Sequence, residues 1–349
     1  MSDYWENRAI QRMYESMILA EKAADELAKI YLKSSRYISL KADEIFEKFQ
    51  RKHKLSESEA RKLISMLHDK TSIDELKRLL EGSDARNKEL LAELESVAYQ
   101  ARLERLRQLQ NEIDIAMKSV YQQERKFTTS FYTDQANESY YKSMFDIQQR
   151  AGIGFSFDRI SEKQINKVLS MEWSGENYSK RIWKNTKGLA EDLKEELLVN
   201  LLTGRTNREA AEIIANKFAS GSSKARRLVR TESNFVSSEI NFEAYKEAGI
   251  EEYQFLATLD LKTSKVCREL DGKIFKVADR KVGVNCNPMH PWCRSTTISV
   301  IDRKYISKMT RSARNPETGE VIKVPRSMNY QQWYDKFVKE KYGNKNTSQ

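Results

Sequence analysis

Hydrophobic side chains recur at intervals of three and four residues along most of this chain. In residues 87–120, leucines, alanines and valines keep this spacing over about nine helical turns, with polar residues between them. The spacing returns near residue 230, where one predicted helical face carries Leu228, Val229, Phe235, Val236, Ile240, Phe242 and Tyr245. The pattern predicts long amphipathic helices, which pack in bundles or against the helices of another protein.

Glycine and proline, the residues that interrupt helices, are missing from long stretches. The first glycine is Gly82, and all four prolines follow residue 287. An uninterrupted region rich in Ala, Leu, Glu, Lys and Arg predicts one helix after another. Capping-box spacings, in which Glu or Gln follows Ser or Thr by three residues, predict helix starts at Ser72, Ser161 and Thr206, and Gly249 is a predicted helix end.

The helical pattern loosens between residues 127 and 160. Hydroxyl and amide side chains gather there, and two glycines follow them. The residues concerned are Thr128, Thr129, Ser130, Thr133, Asn137, Gly152 and Gly154. We therefore predict a connection between two helical regions in this stretch.

Beyond Gly249 the periodicity shortens to two residues. Apolar and polar side chains alternate over residues 253–258, and residues 273–277 and 295–301 form short runs rich in β-branched side chains. These are strand patterns. Residues 315–319 have the composition of a turn, and residues 330–342 form the last predicted helix.

These patterns together predict a mainly α fold, with elongated helical N-terminal and central regions followed by a small α+β C-terminal module. The predicted domains are an elongated helical region (1–150), a central helical region (151–249), the α+β module (250–305) and a tail with a terminal helix (306–349).

Composition adds limits to this picture. The chain has 349 residues, of which 39% are hydrophobic and 32% charged, as in a folded protein. No apolar stretch approaches the length of a membrane span, and the N-terminus lacks the apolar core of a signal peptide. Three cysteines in the last third of the chain do not make a secreted disulfide scaffold. We therefore expect synthesis in a reducing cytoplasm and no stable membrane insertion.

The net charge of +10 lies entirely in the second part of the chain. Residues 1–200 contain 34 basic and 34 acidic side chains, whereas residues 201–349 contain 27 basic and 17 acidic ones. Such an excess can attract nucleic acid or an acidic protein, and a solvated surface without a specific partner is the alternative. The candidate phosphate contacts are Lys224, Arg226, Arg227 and Arg230, which lie on one predicted helix; internal hydrogen bonding is the alternative use of these side chains.

All three cysteines and one of the three histidines lie within 27 residues of each other, at Cys267, Cys286, His290 and Cys293. Thiolate and imidazole groups are the ligands that zinc prefers in structural sites. Packed free thiols beside a hydrogen-bonded histidine are the alternative. The sequence therefore offers a candidate zinc site.

The same region allows two catalytic interpretations. In one, Cys267 or Cys293 is a nucleophile with His290 as its base, although no oxyanion-hole motif accompanies them. Carboxylates at Glu232, Asp260 and Asp271 provide the other, a metal-dependent hydrolase or nuclease.

The order of residues in the C-terminal part is specific. It runs Arg230, Thr231, Glu232, then Asp260, Cys267, Asp271, Gly272, and finally His290, Pro291, Cys293 and Arg294. This series resembles the phage Mu F-like head morphogenesis domain, which marks the minor head proteins of tailed bacteriophages. The wider chain, over about residues 173–335, is similar to minor capsid proteins of phages that infect Gram-positive bacteria.

One position departs from the family pattern. The family usually has two adjacent prolines before the Met-His-Pro stretch, whereas this chain has Cys286, Asn287 and Pro288. Cys286 is therefore the doubtful member of the metal set. Cys267, His290 and Cys293 remain as its dependable members, and Asp260, Asp271 or water would supply the fourth ligand.

The resemblance implies a minor capsid protein that takes part in procapsid assembly inside the phage head. Its expected partners are the portal protein, capsid or scaffolding proteins, and packaged double-stranded DNA. It would be made in the host bacterial cytoplasm, reside in the virion interior and leave with the genome. The resemblance implies no enzymatic activity; the alternative is a metal-dependent hydrolase or nuclease that acts during infection.

Overall fold

The computed structural model describes residues 2–47, 58, 97–151, 156–202, 206–301, 310–325 and 328–339. Its long helices are α1 (Ser2–Glu47), α2 (Val97–Ala151), α3 (Glu162–Ser170), α4 (Tyr178–Leu202) and α5 (Asn207–Glu247). Among the residues described, no helix is sufficiently long and apolar to span a membrane. The helix start predicted at Ser72, Gly82 and the first part of the helix predicted over residues 87–120 lie outside the described residues.

The strands and short helices come after α5. They are β1 (Glu252–Leu256), α6 (Lys265–Leu270), β2 (Ile274–Lys276), a 3-10 turn (Val277–Asp279), β3 (Thr296–Ser299), β4 (Thr310–Arg314), β5 (Val321–Pro325) and α7 (Tyr330–Tyr334), which continues as a π-helix (Asp335–Lys339). Strands β2, β1 and β3 form an antiparallel sheet in that order, and β4 pairs with β5. The predicted class, mainly α with a small C-terminal α+β module, is confirmed.

Two compact units form from segments that are distant in sequence. Unit 1 contains Met1–Asp25, Phe127–Tyr178 and Arg226–Gln349, and unit 2 contains Glu26–Lys126 and Ser179–Ala225. The four predicted domains divide the chain linearly, and their boundaries stay a prediction.

Two of the predicted helix starts have the expected hydrogen bonds. The Ser161 Oγ accepts from the Gln164 amide at 3.2 Å, and the Gln164 side chain accepts from the Ser161 amide at 2.8 Å. Thr206 and Glu209 exchange the same pair of bonds at the start of α5. At the other end of α5, Gly249 has a φ of +66°, a conformation that glycine adopts without steric cost, and the chain leaves the helix there.

The predicted connection over residues 127–160 is wrong for its first part, because α2 continues to Ala151. Polar side chains bond back along the helix: Thr133 Oγ1 donates to the Thr129 carbonyl at 2.9 Å, and Asn137 Nδ2 donates to the Thr133 carbonyl at 3.0 Å. The hydroxyl and amide groups are thus satisfied without ending the helix. Buried apolar residues at helical spacing keep it in place: Tyr132, Ala136, Tyr140, Met144 and Ile147.

Unit 2 is built from helical segments packed through apolar faces. Its fully buried side chains include Leu27, Ile38, Ile113, Val120, Ile182, Leu193, Leu197, Val199 and Ile214. A close approach occurs at Gly221, where an added Cβ would lie 2.8 Å from Leu189 Cδ2 and 2.9 Å from Tyr31 Cε1. Tyr31 also donates a buried hydrogen bond of 2.7 Å to Glu124.

One segment of α5 in unit 1, residues 231–240, is enclosed on every side. All side chains of residues 231–240 are buried, and seven of these ten residues are polar or charged. The sequence pattern predicted one buried face, so the burial of the polar residues is a correction. Beside this segment, the rings of Phe242 and Tyr253 meet edge to face at 4.8 Å, which packs α5 against the central strand β1.

Candidate metal centre

The structure brings Cys267, His290 and Cys293 together in unit 1. One potential ligand atom from each residue lies within 4.8 Å of the other two. The Cys267 Sγ is 3.5 Å from His290 Nε2 and 3.9 Å from Cys293 Sγ. Both cysteines are buried and His290 is half-buried, so the group lies close below the surface of the unit.

Two elements position the cysteines. Cys267 lies on α6, whose first turn is capped by Ser264, because the Ser264 Oγ accepts from the Cys267 amide at 3.3 Å. Cys293 belongs to the loop that precedes β3. The two cysteines share an apolar cluster with Phe255 and Ala257, on and just after β1. The sulfur atoms therefore meet on the apolar packing of the sheet.

The imidazole of His290 has a defined orientation. Its Nδ1 lies 2.7 Å from the carbonyl oxygen of Pro291, a distance at which Nδ1–H donates a hydrogen bond. In that tautomer Nε2 carries the free lone pair, and Nε2 is the atom that faces Cys267. A backbone carbonyl at the far ring nitrogen is the usual support for a metal-binding histidine.

The contact between Cys267 and Cys293 shifts the pKa values of the two thiols in opposite directions. The hydrogen bond from Cys293 is the main cause that lowers the pKa of Cys267 to about 5, with further help from Ser264, Ser295 and His290. The same contact, together with burial, raises the pKa of Cys293. The contact between the two sulfur atoms therefore favours the thiolate form of Cys267, the form that binds a metal.

Cys286 lies elsewhere. Its Sγ is 3.3 Å from the Ser238 hydroxyl on α5, and burial raises the pKa of this thiol to about 12. It does not belong to the group formed by Cys267, His290 and Cys293. The sequence named it as the doubtful fourth ligand, and the structure places it among buried polar groups instead.

Asp260 is engaged by an arginine. Its carboxylate forms a two-point ion pair with Arg294 at 2.5 and 2.8 Å and accepts further bonds from the Lys262 amide and the Thr263 hydroxyl. Burial raises its pKa, but these bonds outweigh burial and lower it overall. Asp260 thus ties the loop after β1 to the residue that follows Cys293.

Asp271 and Gly272 connect α6 to the sheet. Asp271 Oδ1 accepts from the Ala257 amide at 2.9 Å, and the Gly272 amide donates to the Phe255 carbonyl at 2.9 Å. Gly272 has a φ of +77°, which strongly favours glycine. Neither Asp260 nor Asp271 belongs to the group of close ligand atoms among the described residues.

Arg230 and Thr231 both contact Trp292, whereas Glu232 contacts Trp173. The Thr231 hydroxyl accepts from the Trp292 amide at 3.2 Å, and the Arg230 guanidinium lies 5.2 Å from the centre of the Trp292 ring. Glu232 accepts from the Trp173 indole at 3.2 Å. Trp292 has a φ of +65°, an uncommon conformation for a large side chain, so α5 stabilises the turn between His290 and Cys293.

Comparison with known proteins supports the resemblance predicted from these residues. A family model described as Phage Mu protein F like protein matches residues 191–298, which include part of α4, all of α5, strands β1 and β2, most of β3 and the three candidate metal ligands. The chain carries a Phage Mu F-like region. The match supports a part in phage head morphogenesis, with the virion as the consistent location and capsid-related proteins as partners.

A curated relative adds a second likeness. NAD(+)–arginine ADP-ribosyltransferase EFV of Enterococcus faecalis is 27% identical over 258 residues, which are 69% of this chain and 51% of that protein. The chain thus spans about half the length of this relative. No solved structure matches the chain.

Asn234 is a central residue of the Phage Mu F-like region that the sequence analysis missed. Its Nδ2 donates to the carbonyls of Cys293 at 2.9 Å and Ser295 at 3.2 Å, and its Oδ1 accepts from Asn287 at 2.5 Å. It is fully buried. A polar residue inside an apolar helical pattern was the available signal, but nothing in the spacing identified its partners.

The predicted phosphate contacts differ in their surroundings. Arg226 pairs with Glu21 and with Asp25, the latter at 2.5 Å, and Arg230 pairs with Glu21. Lys224 and Arg227 are exposed. The two paired arginines therefore have partners within the chain, as the alternative in the sequence analysis expected, and the nucleic-acid role of all four residues stays a prediction.

Proposed function

We propose that the protein is a minor capsid protein that associates with the portal during procapsid assembly, contacts packaged double-stranded DNA inside the head, and leaves with the genome. The carrying observation is the Phage Mu F-like match over residues 191–298, because it includes α5 and the whole cluster of motif residues that α5 anchors. Capsid or scaffolding proteins are further proposed partners.

Exposed apolar residues on α1 support a helical partner. On the part of α1 that belongs to unit 2, Leu32 is 51% exposed and Leu40 64%. Large apolar side chains that repeat along an exposed helix are typical of sites where another helix docks. We assign this role to the portal protein.

Mass spectrometry of purified procapsids and mature virions tests the assembly role. We expect the protein in both, and we expect it to co-purify with the portal protein from infected cells. The variant Leu32→Asp/Leu40→Asp should weaken portal co-purification, whereas the control Val321→Asp, at a residue 66% exposed on β5, should not. Absence from procapsids and virions would overturn the proposal.

Salt dependence tests the DNA contact. Binding that neutralises several phosphates weakens steeply as salt rises. Lys224→Gln and Arg227→Gln should each reduce this salt slope, while Lys265→Gln, an exposed lysine on α6, should leave it unchanged. A flat salt response of the wild-type protein would contradict DNA binding.

The non-enzymatic character is part of the proposal and needs its own assay. The relative's name describes transfer of ADP-ribose from NAD(+) to arginine, so incubation with NAD(+) and an arginine acceptor is the direct measurement. Nuclease and cell-wall hydrolysis assays cover the alternative hydrolase. We expect turnover in none of them, and reproducible turnover that His290→Ala abolishes would replace the structural role by a catalytic one.

A further inference from the structure

Two of the three separations between the ligand atoms match a tetrahedral zinc ion. Zinc binds thiolate sulfur at about 2.3 Å and imidazole nitrogen at about 2.0 Å, so tetrahedral angles place two sulfur ligands about 3.8 Å apart and sulfur and nitrogen about 3.5 Å apart. The observed separations are 3.9 Å between the sulfur atoms of Cys267 and Cys293, and 3.5 Å between the Cys267 sulfur and His290 Nε2. The third pair lies within 4.8 Å.

We propose that Cys267, His290 and Cys293 bind one zinc ion that fastens α6 to the loop preceding β3, with a water molecule as the fourth ligand. Metal binding and its role in holding α6 to this loop do not depend on the proposed function in phage assembly. Two sulfur donors with one imidazole favour zinc over magnesium or calcium, which prefer oxygen ligands.

The surroundings of the ligands fit a metal site in a second respect. The His290 Nδ1 is occupied by the Pro291 carbonyl, which orients Nε2 toward the sulfur atoms. Carbonyl and hydroxyl partners of this kind fix the ring and the thiolate in the geometry that the metal needs. The Ser264 hydroxyl accepts from the Cys267 amide at 3.3 Å, which fixes the start of α6 beside the site.

A role in stability follows from the position of the ligands. Cys267 lies on α6, whereas His290 and Cys293 lie more than 20 residues later, on the loop that enters β3. A metal bound by both segments crosslinks them in the folded state, and its binding free energy adds to folding. Binding releases to water the proton that the Cys267–Cys293 pair holds and involves no redox change.

Metal analysis of the purified full-length chain is the first test. After purification under reducing conditions with zinc supplied, we expect about one zinc per chain, as for a single three-residue site. Cys267→Ser and His290→Ala should each lose most of that zinc. Cys286→Ser is the matched control, because it removes a buried thiol outside the group and should retain the full amount.

Cobalt substitution of the wild-type protein avoids the risk that a variant misfolds. We expect sulfur-to-cobalt charge-transfer absorption with the d–d bands of tetrahedral cobalt, and a lower melting temperature after chelation. Several outcomes would overturn the proposal: no metal in the wild-type protein, equal loss of metal in Cys286→Ser, cobalt spectra without sulfur ligation, or a Cys267–Cys293 disulfide in the reduced, zinc-supplied preparation. The last outcome would indicate a redox pair instead.

Discussion

The loop that carries His290 and Cys293 is fixed by buried polar side chains, whereas unit 2 is packed mainly through apolar helix faces. Asn234 and Thr231 bond to this loop, and Arg294 within the loop pairs with Asp260. In unit 2, most buried side chains are aliphatic, and Tyr31 with Glu124 forms a buried polar pair. Side chains are buried in both regions, but hydrogen bonds hold the loop in place and apolar contacts hold unit 2 together.

This difference matters because hydrogen bonds are directional and apolar packing is not. A ligand cluster needs its atoms within a fraction of an ångström, and bonds to fixed donors and acceptors supply that precision. A helical bundle needs volume to be filled and tolerates small shifts. Three substitutions test the contrast, in order of decreasing effect.

Replacing Asn234 with alanine should have the largest effect. It leaves the carbonyls of Cys293 and Ser295 and the amide of Asn287 without their partner, and each buried unsatisfied group costs about 1 to 3 kcal/mol. We expect a loss of about 4 kcal/mol in the free energy of unfolding, measured by denaturant titration.

The neighbouring Ser233 provides the control for this substitution. Ser233 is equally buried, but its hydroxyl has no hydrogen-bond partner among the described residues. Ser233→Ala should change the free energy of unfolding by less than about 1 kcal/mol. Similar losses for both variants would mean that burial, not directional bonding, holds the loop.

The buried pair in unit 2 predicts a dependence on pH. Burial raises the pKa of Glu124 to about 7, above the unfolded value of 4.5, although the Tyr31 hydrogen bond lowers it slightly. The folded state therefore favours the protonated acid. Its contribution to stability is complete below about pH 4.5 and is lost as the pH rises through 7, for a total of about 3 kcal/mol.

Glu124→Gln keeps an acceptor for Tyr31 and removes the titration. Relative to wild type, we expect this variant to gain stability between about pH 4.5 and 7 and to level off above pH 7, as measured by hydrogen exchange of residues 104–124. Glu112 in α2 also accepts a hydrogen bond from a tyrosine, Tyr37. Glu112→Gln is therefore the control, and its stability should depend on pH as that of the wild type does. A constant offset between Glu124→Gln and wild type across this range would contradict the prediction.

Gly221→Ala should have the smallest of the three effects. The added methyl group would lie less than 3 Å from Leu189 and Tyr31, and overpacking of this kind costs about 1 to 3 kcal/mol, partly offset by about 1 kcal/mol of better helix propensity. We expect a net loss of about 1 kcal/mol by thermal unfolding. Gly188→Ala in α4, where no atom lies within 4 Å of the added group, should instead stabilise the protein.

Local signals in the sequence predicted much of the fold. The capping boxes at Ser161 and Thr206 and the helix end at Gly249 depend on neighbouring residues alone, and the structure has all three. The alternation of apolar and polar side chains over residues 253–258 is also a local signal, and it predicted the central strand β1. The group of Cys267, His290 and Cys293 could be predicted because cysteine and histidine are rare in this chain and these three residues lie close together in sequence.

Features that depend on tertiary contacts escaped prediction. The helix α2 passes through a threonine-rich stretch because Thr133 and Asn137 bond backward, which composition does not reveal. The hairpin of β4 and β5 was predicted only as a turn, although residues 321–324 include three β-branched side chains. The partners of Asn234 lie about 60 residues away, so no local pattern encodes them.

Trp292 gives the candidate site a built-in optical reporter. Its ring is 39% exposed and adjoins the Arg230 guanidinium, and the residue lies two positions after His290 and one before Cys293. Because indole emission responds to nearby charge, thiolate and solvent, a difference spectrum between the native chain and Trp292→Phe isolates the signal of this turn. Any change at the sulfur and imidazole groups can then be followed in real time without an attached dye.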